Sequence, residues 1–463
     1  MKLSFHGADH DVTGSCHLIE TANTRILIDC GLFQGSRELN EDNAGAFGFD
    51  AGAIDYLLLT HAHLDHCGRI ALLAKRGFKG EVIATSATHE LARLVMLDAA
   101  HLQEEDSRRA SAKRARRGAN PGAAAPLYTT LDATRALGRF GRAAAYGSPL
   151  EVRPGVRATF FDAGHILGSA SVLVESQEGG TTKRVLFSGD LGRTGSPLLN
   201  PPQPPPSADA VVMETTYGDR LHSDREACVE EFYAAILDSF GRGGNVVIPT
   251  FALERAQEIL FFLNRGVADN RLPPAMQVYL DSPMAISATE IFAHHAEFLR
   301  PEAAALFQSG QDPFRVPGLH ITRETADSIA INKIKSGAVI MAGSGMATGG
   351  RIRHHLKHNL WRPESTVVFV GYAAAGTPAR AIMDGAKSVR LFDEDIAVKA
   401  RIHAIGGFSA HADQKGLLAW RNAISGVKTT FLVHSEMTTM QTFAKLLTDS
   451  QVELPAPNQG FDL

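Results

Sequence analysis

Short runs of apolar, β-branched and aromatic residues punctuate the chain: "TRILIDC", "IDYLLLT", "GEVIAT", "VRATFFDA", "RVLFSGD", "ADAVVMET", "NVVIPT", "AVIMAG", "STVVFVG" and "KTTFLVH". Runs of this length and composition, bounded by glycine, proline or charge, predict buried strands. Several are followed by stretches in which apolar residues recur near i, i+3 and i+4, as in "ERAQEILFFLNRG". That spacing predicts helices that bury one face. Strands alternating with helices predict an α/β architecture.

The chain is 463 residues long, more than one small domain needs, so two domains or one large domain with an insertion is expected. Five prolines between Pro201 and Pro206 can neither join a sheet interior nor continue a helix, and mark either a domain boundary or a surface loop. "SRRASAKRARRGANPGAAAP" (Ser107–Pro126) carries six basic residues from Arg108 to Arg117. It reads as a solvated helix face or loop, with a phosphate-contacting patch as the alternative. The net charge of −4 gives no global positive field, which argues only weakly against a nucleic-acid partner. The four cysteines lack CxxC spacing and suit buried thiols in a reducing compartment. No secretory core or membrane-length apolar window is present, so a cytoplasmic protein without membrane contact is expected.

Chemistry-bearing residues fall just beyond the strand runs. Asp29 ends "RILID", and His61, His63, Asp65 and His66 follow "YLLLT". His165 follows "TFFDAG", Asp190 ends "VLFSGD" and His434 follows "TFLV". One such histidine is usually a satisfied polar residue, but a series of strand ends offering His or Asp points to a ligand edge. In an extended segment residues i and i+2 face the same way, so His61 and His63 can grip one cation. The chain then turns into the helical "CGRIALLAKRG", which lets Asp65 and His66 face a neighbouring cation. Imidazole and carboxylate without thiolate suit zinc at a catalytic site. Asp190 can bridge two such ions, and Asp29 reads as an anchor that orients a ligand. Cys67, beside His66, reads as a small buried residue.

"HAHLDH" resembles the HxHxDH signature of the metallo-β-lactamase superfamily, and Asp29, His165 and Asp190 fall where that superfamily has further motifs. "VVMETTYGDR", "GGFSAHAD" and "FLVHSE", carrying Glu214, His411 and His434, resemble motifs A, B and C of its β-CASP branch. "GSGMATGGR" and "GYAAAGTPAR" also resemble segments of that branch. The resemblance spans nearly the whole chain and is greatest to bacterial ribonucleases related to the endonuclease of mRNA 3′-end processing. It implies an αββα sandwich built from residues 1–204 and 398–463, with an α/β β-CASP domain inserted at 205–397. It implies two Zn2+ ions, with Mn2+ as the alternative. One would be held by His61, His63, His165 and Asp190, the other by Asp65, His66, Asp190 and His434. Substrate would lie in the cleft between the domains.

The implied reaction is hydrolysis of RNA phosphodiester bonds by a hydroxide activated between the two ions, with single-stranded RNA as partner. His411 would protonate the leaving oxygen, Glu214 would hold its tautomer, and Asp29 and Asp65 would complete the catalytic set. Ser344, Thr348 and Gly349 in a glycine-rich turn, Ser409 beside His411, and Arg351 and Arg380 are candidate phosphate contacts. His354 and His355, on a helical pattern, are expected to be exposed. DNA remains an alternative substrate, although DNA-acting members of the branch more often carry an apolar residue at motif C. A non-catalytic RNA-processing scaffold and a small-molecule thioester or lactam hydrolase are further alternatives. Endonucleolytic against 5′-exonucleolytic action, and a homodimer against a monomer, are left open.

Overall fold

The structure, a computed structural model, describes residues 1–35, 42–116, 125–371, 373–374 and 376–463. All ten apolar runs named above contain strands, from Arg25–Ile28 to Thr429–Val433, and "ERAQEILFFLNRG" lies in the helix Arg255–Ala268. The chain forms two compact units: Met1–Ser196 with Asn200–Leu221 and His411–Leu463, and Pro197–Leu199 with His222–Ala410.

The first unit holds two seven-stranded sheets. Leu3, Phe5, Ile19, Ile28, Leu58 and Ile83 of one sheet pack against Phe160, Val172, Val174, Phe187, Val212 and Phe431 of the other. Phe5 and Phe431 meet with ring centroids 5.3 Å apart. On the outer face of the second sheet, Leu186, Val211 and Leu432 pack against Leu417, Trp420, Met440 and Phe443 of two helices. Helices Ile70–Lys75, Ser86–Arg116 and Thr130–Leu137 pack together beside the first sheet. The result is an αββα sandwich, with both chain ends in it: Lys2–Phe5 pairs with Gly460–Asp462.

The second unit has a six-stranded, all-parallel sheet in the order Leu319–Ile321, Gln277–Leu280, Ala338–Ala342, Val246–Pro249, Thr366–Phe369 and Arg401–Ala404. A parallel sheet is covered on both faces, which is why "NVVIPT" and "AVIMAG" are apolar without alternation.

The units exchange at residues 222 and 410 rather than 205 and 397. Ala210–Glu214 pairs in parallel with both Val185–Phe187 and Thr429–Val433, and so extends the first unit's sheet. Arg401–Ala404 pairs with Thr366–Phe369 and extends the second unit's sheet. The proline run Pro201–Pro206 is thus a loop inside the first unit. Among the described residues, no helix is long and apolar enough to cross a membrane.

Candidate metal centre

Strands Thr181–Phe187, Ala210–Glu214 and Thr429–Val433 run in one direction, so their C-terminal ends share an edge. Asp190, Glu214 and His434 emerge there. In the facing sheet, Arg25–Ile28 and Tyr56–Leu58 are also parallel, and deliver Asp29 and the His61–His66 segment. Glycine permits the close approaches. A Cβ on Gly31 would lie 1.5 Å from the Asp65 carbonyl oxygen, and one on Gly192 would lie 1.7 Å from that of Gly164.

Two ligand sets result, beside a further grouping of Asp190 with Glu214 and His411. His61, His63, His165 and Asp190 each bring one atom within 4.8 Å of the others, as do Asp65, His66 and His434. His63 Nδ1 lies 3.1 Å from His61 Nε2 and 3.1 Å from His165 Nε2. Asp190 spans the sets. Its Oδ2 is 3.4 Å from His61 Nε2 and 3.5 Å from His165 Nε2. Its Oδ1 is 3.2 Å from His66 Nε2 and 3.7 Å from His434 Nε2. His434 Nε2 is also 3.4 Å from Asp65 Oδ2.

Hydrogen bonds around this cluster fix which nitrogen carries each proton. The Thr60 hydroxyl donates to Asp29 Oδ2 at 2.8 Å, so at 3.1 Å it accepts from His61 Nδ1–H. His66 Nδ1–H donates to Asp29 Oδ2 at 2.8 Å. The Thr216 hydroxyl donates to the His434 carbonyl at 3.3 Å and accepts from His434 Nδ1–H at 3.1 Å. Each of these imidazoles therefore spends Nδ1–H on an outer partner and turns its Nε2 inward, the usual work of groups that orient metal ligands. Burial drives His61 down to about 4 and His63 down to about 3, against the raising effect of nearby carboxylates, so both are neutral at neutral pH. Burial and the His411 charge likewise lower His165.

This donor set fits a cation. Two ligands on a tetrahedral ion at about 2.05 Å stand about 3.3 Å apart, close to the 3.1 Å spacings here. Three neutral nitrogens pointing at one another cannot all be satisfied by sharing protons. Asp190 Oδ1 is buried without a hydrogen-bond partner. Burial opposes a charge on His66, but Asp190 and Asp29 outweigh it and raise His66 well above its ordinary value. That concentration of buried negative charge is what a divalent ion would neutralise.

Beside the cluster, His411 Nδ1–H donates to Glu214 Oε1 at 3.1 Å. Glu214 is buried and also accepts from Leu191 N at 2.6 Å and Thr216 N at 3.2 Å. The His411 ring lies 4.5 Å from that of His165. Burial would lower His411, but the Glu214 carboxylate overrides it and pushes the imidazole up to about 9.

Ser344, Thr348 and Gly349 gather in one turn of the second unit, where Gly349 N donates to Ser344 Oγ at 3.4 Å and the two hydroxyls are 3.4 Å apart. Ser409 is buried at the end of the short helix Gly406–Phe408. Arg351 is not a free anion ligand. Its guanidinium donates to Asp281 Oδ1 at 2.7 Å and to the Thr322 and Arg323 carbonyls at 3.0 and 2.7 Å. Arg380 pairs with Asp384 at 2.8 Å on an exposed helix face. His355 is fully buried rather than exposed, bonded to Asp281 at 2.6 Å and Asn332 at 3.0 Å. Its helix covers the sheet, and Asp281 compensates the polar ring. Cys67 is buried. The sequence reading passed over Thr60 and Thr216. Their one signal is position: Thr60 follows the strand Tyr56–Leu58 by two residues and directly precedes the histidine segment, and Thr216 follows Glu214 by two residues.

A metallo-β-lactamase superfamily model matches residues 11–232. A Beta-Casp domain model matches residues 256–382, and a model of the Zn-dependent metallo-hydrolase RNA specificity domain matches 395–457. Ribonuclease TTHA0252 of Thermus thermophilus is 39% identical over 447 residues, 96% of each chain. A transcription termination factor FttA of Methanocaldococcus jannaschii is 30% identical, over 96% of this chain and 68% of that one. An RNase J-like protein of the same organism is 28% identical over 96% of this chain and 94% of its own. A crystal structure of a protein of unknown function from Enterococcus faecalis V583 superimposes over 100% of this chain and 99% of that one, with TM-score 0.56 and 11% identity, a likeness of fold.

Proposed function

The chain belongs to the β-CASP branch of the metallo-β-lactamase superfamily, a group of metal-dependent hydrolytic nucleases, and from that premise we propose a two-cation ribonuclease acting on single-stranded RNA. The observation that carries this reading is Asp190, with one carboxylate oxygen turned to each of two ligand sets.

In this reading His61, His63 and His165 would hold one cation, Asp65, His66 and His434 would hold the other, and Asp190 would serve both. Zinc suits the nitrogen-rich donors, and manganese is the alternative. When bound, such a pair supplies an acidified water at neutral pH and neutralises charge on the phosphodiester. Asp29 and Thr60 keep His66 and His61 in the ligating tautomers. The water gives up a proton to solvent and its oxygen bonds to phosphorus while the bond from phosphorus to the 3′-oxygen breaks. The departing oxygen takes the proton of His411 Nε2, since Glu214 holds the other ring proton at Nδ1. The products are a 5′-phosphate and a 3′-hydroxyl.

The test uses matched RNA and DNA oligonucleotides, end-labelled, with and without chelator. Chelator-sensitive cleavage of RNA, with DNA at least tenfold slower, is the expected result. Equal cleavage of both polymers would reassign the substrate, and RNA cleavage that survives complete metal removal would refute the mechanism.

A further inference from the structure

The basic stretch singled out in the sequence lies on the helix Ser86–Arg116, whose two halves differ. The first half is embedded in the first unit: Ala87, Leu91, Val95, Met96 and Ala100 are buried. It starts against the loop that carries His165, where the hydroxyls of Thr85 and Thr88 both donate to the Gly168 carbonyl at 2.7 and 2.9 Å. It also packs on Leu64–Cys67, the helix that bears Asp65 and His66. From His101 onward no described residue of the helix is buried. Gln103 and Glu104 still brace it, accepting from Leu127 N at 3.2 Å and Thr130 N at 2.9 Å. Beyond them Glu105 pairs with Arg109 at 2.8 Å. From Ser107 to Arg116 the chain has basic residues and no acidic one. Arg117 lies outside the described residues.

Helical phase adds direction. Eighteen residues make five full turns of an α-helix. Arg109 therefore stands over Leu91 and Arg114 over Met96, so these two positions continue the face that is turned into the unit nearer the helix start, while Arg108 and Arg116 stand over Glu90 and Asp98 at its margin. The extension has no buried residue among those described, and its ion pairs are exposed and individually weak. Its contribution is charge, on a helix whose start lies against the loop carrying His165. At about 1.5 Å per residue, Arg109 stands about 32 Å beyond Thr88 along the axis.

We propose that the outer half of this helix is an arm that tracks the phosphate backbone of RNA engaged at the metal centre. The inference rests on the ribonuclease reading above. A stacked strand advances about 3.4 Å per nucleotide, so about nine nucleotides span the distance to Arg109. A stacked five-nucleotide RNA falls short of that distance, whereas a twenty-nucleotide RNA exceeds it.

The experiment compares full-length, metal-loaded wild type with the triple variant Arg109→Gln, Arg114→Gln, Arg116→Gln on labelled RNAs of five and twenty nucleotides, across a potassium chloride series. Each phosphate contact contributes a slope of about −0.7 to log affinity against log salt for single strands. The variant should therefore lose up to about 2 units of slope on the long RNA, with KM raised about tenfold. The five-nucleotide RNA should be cleaved within twofold of wild type. The triple lysine variant should keep most of the wild-type slope. An unchanged slope on the long RNA, an equal loss at both lengths, or loss in the lysine variant overturns the arm. An acidic protein as the arm's partner would give the first of these. If wild type cleaves neither RNA, the ribonuclease reading fails instead. Anisotropy of the long RNA with wild type and the glutamine variant in chelator then decides the arm alone.

Discussion

Asp190 is where the two ligand sets depend on one side chain, since its two oxygens face different imidazoles. Asp190→Ala should abolish phosphodiesterase activity and lower metal content; unchanged turnover would refute the bridging role. His411 separates from that role because its partner is a carboxylate outside both sets. His411→Ala should lower kcat by about 10²–10⁴-fold with metal content near normal, and loss of metal would mark it as a ligand. The pH dependence follows from its charge. A proton donor must be protonated, and Glu214 raises His411 to about 9, so activity should persist through neutral pH and fall as pH rises through about 9. Glu214→Gln removes the negative charge, and the alkaline limb should move to lower pH; a limb left in place would remove His411 as its source. At this scale the sequence was most legible at the two ligand sets, because a whole series of strand ends offering His or Asp is harder to account for than any one of them. Thr60 and Thr216 were not legible, because a threonine that fixes a tautomer looks like any other threonine. Arg351 misled for the complementary reason: nothing in "GGRIR" shows that Asp281, seventy residues earlier, takes its guanidinium.

Elements place these residues through two close approaches that only glycine allows. Gly31→Ala would drive a methyl into the Asp65 carbonyl and displace the segment carrying Asp65 and His66. The expected outcome is a loss of about 1–3 kcal/mol in denaturant unfolding, together with weaker metal binding. Stability and metal content equal to wild type would show that the loop position is not constrained there. The strands read from apolar runs include ones buried at every residue, such as Ala210–Glu214 and Val246–Pro249. Ala170–Glu178, nine residues long, escaped notice because "ASVLVESQE" passes from small to polar residues. Its identity is set by its neighbours, Val156–Asp162 and Thr181–Phe187, which pair along its whole length.

Over the whole molecule, the first unit is made from both ends of the chain, with His434 and His411 returned to it after the second unit. Composition alone could not set the exchange points. The proline run is conspicuous, but pairing, not proline, assigns Ala210–Glu214 to the first sheet and Arg401–Ala404 to the second unit. The central claim is that distant segments converge on two cations sharing Asp190. Anomalous diffraction from crystals of the zinc-loaded protein tests it most directly. Two peaks are predicted, one among His61, His63 and His165, the other among Asp65, His66 and His434, with Asp190 touching both. A single peak, or peaks away from these side chains, would contradict it.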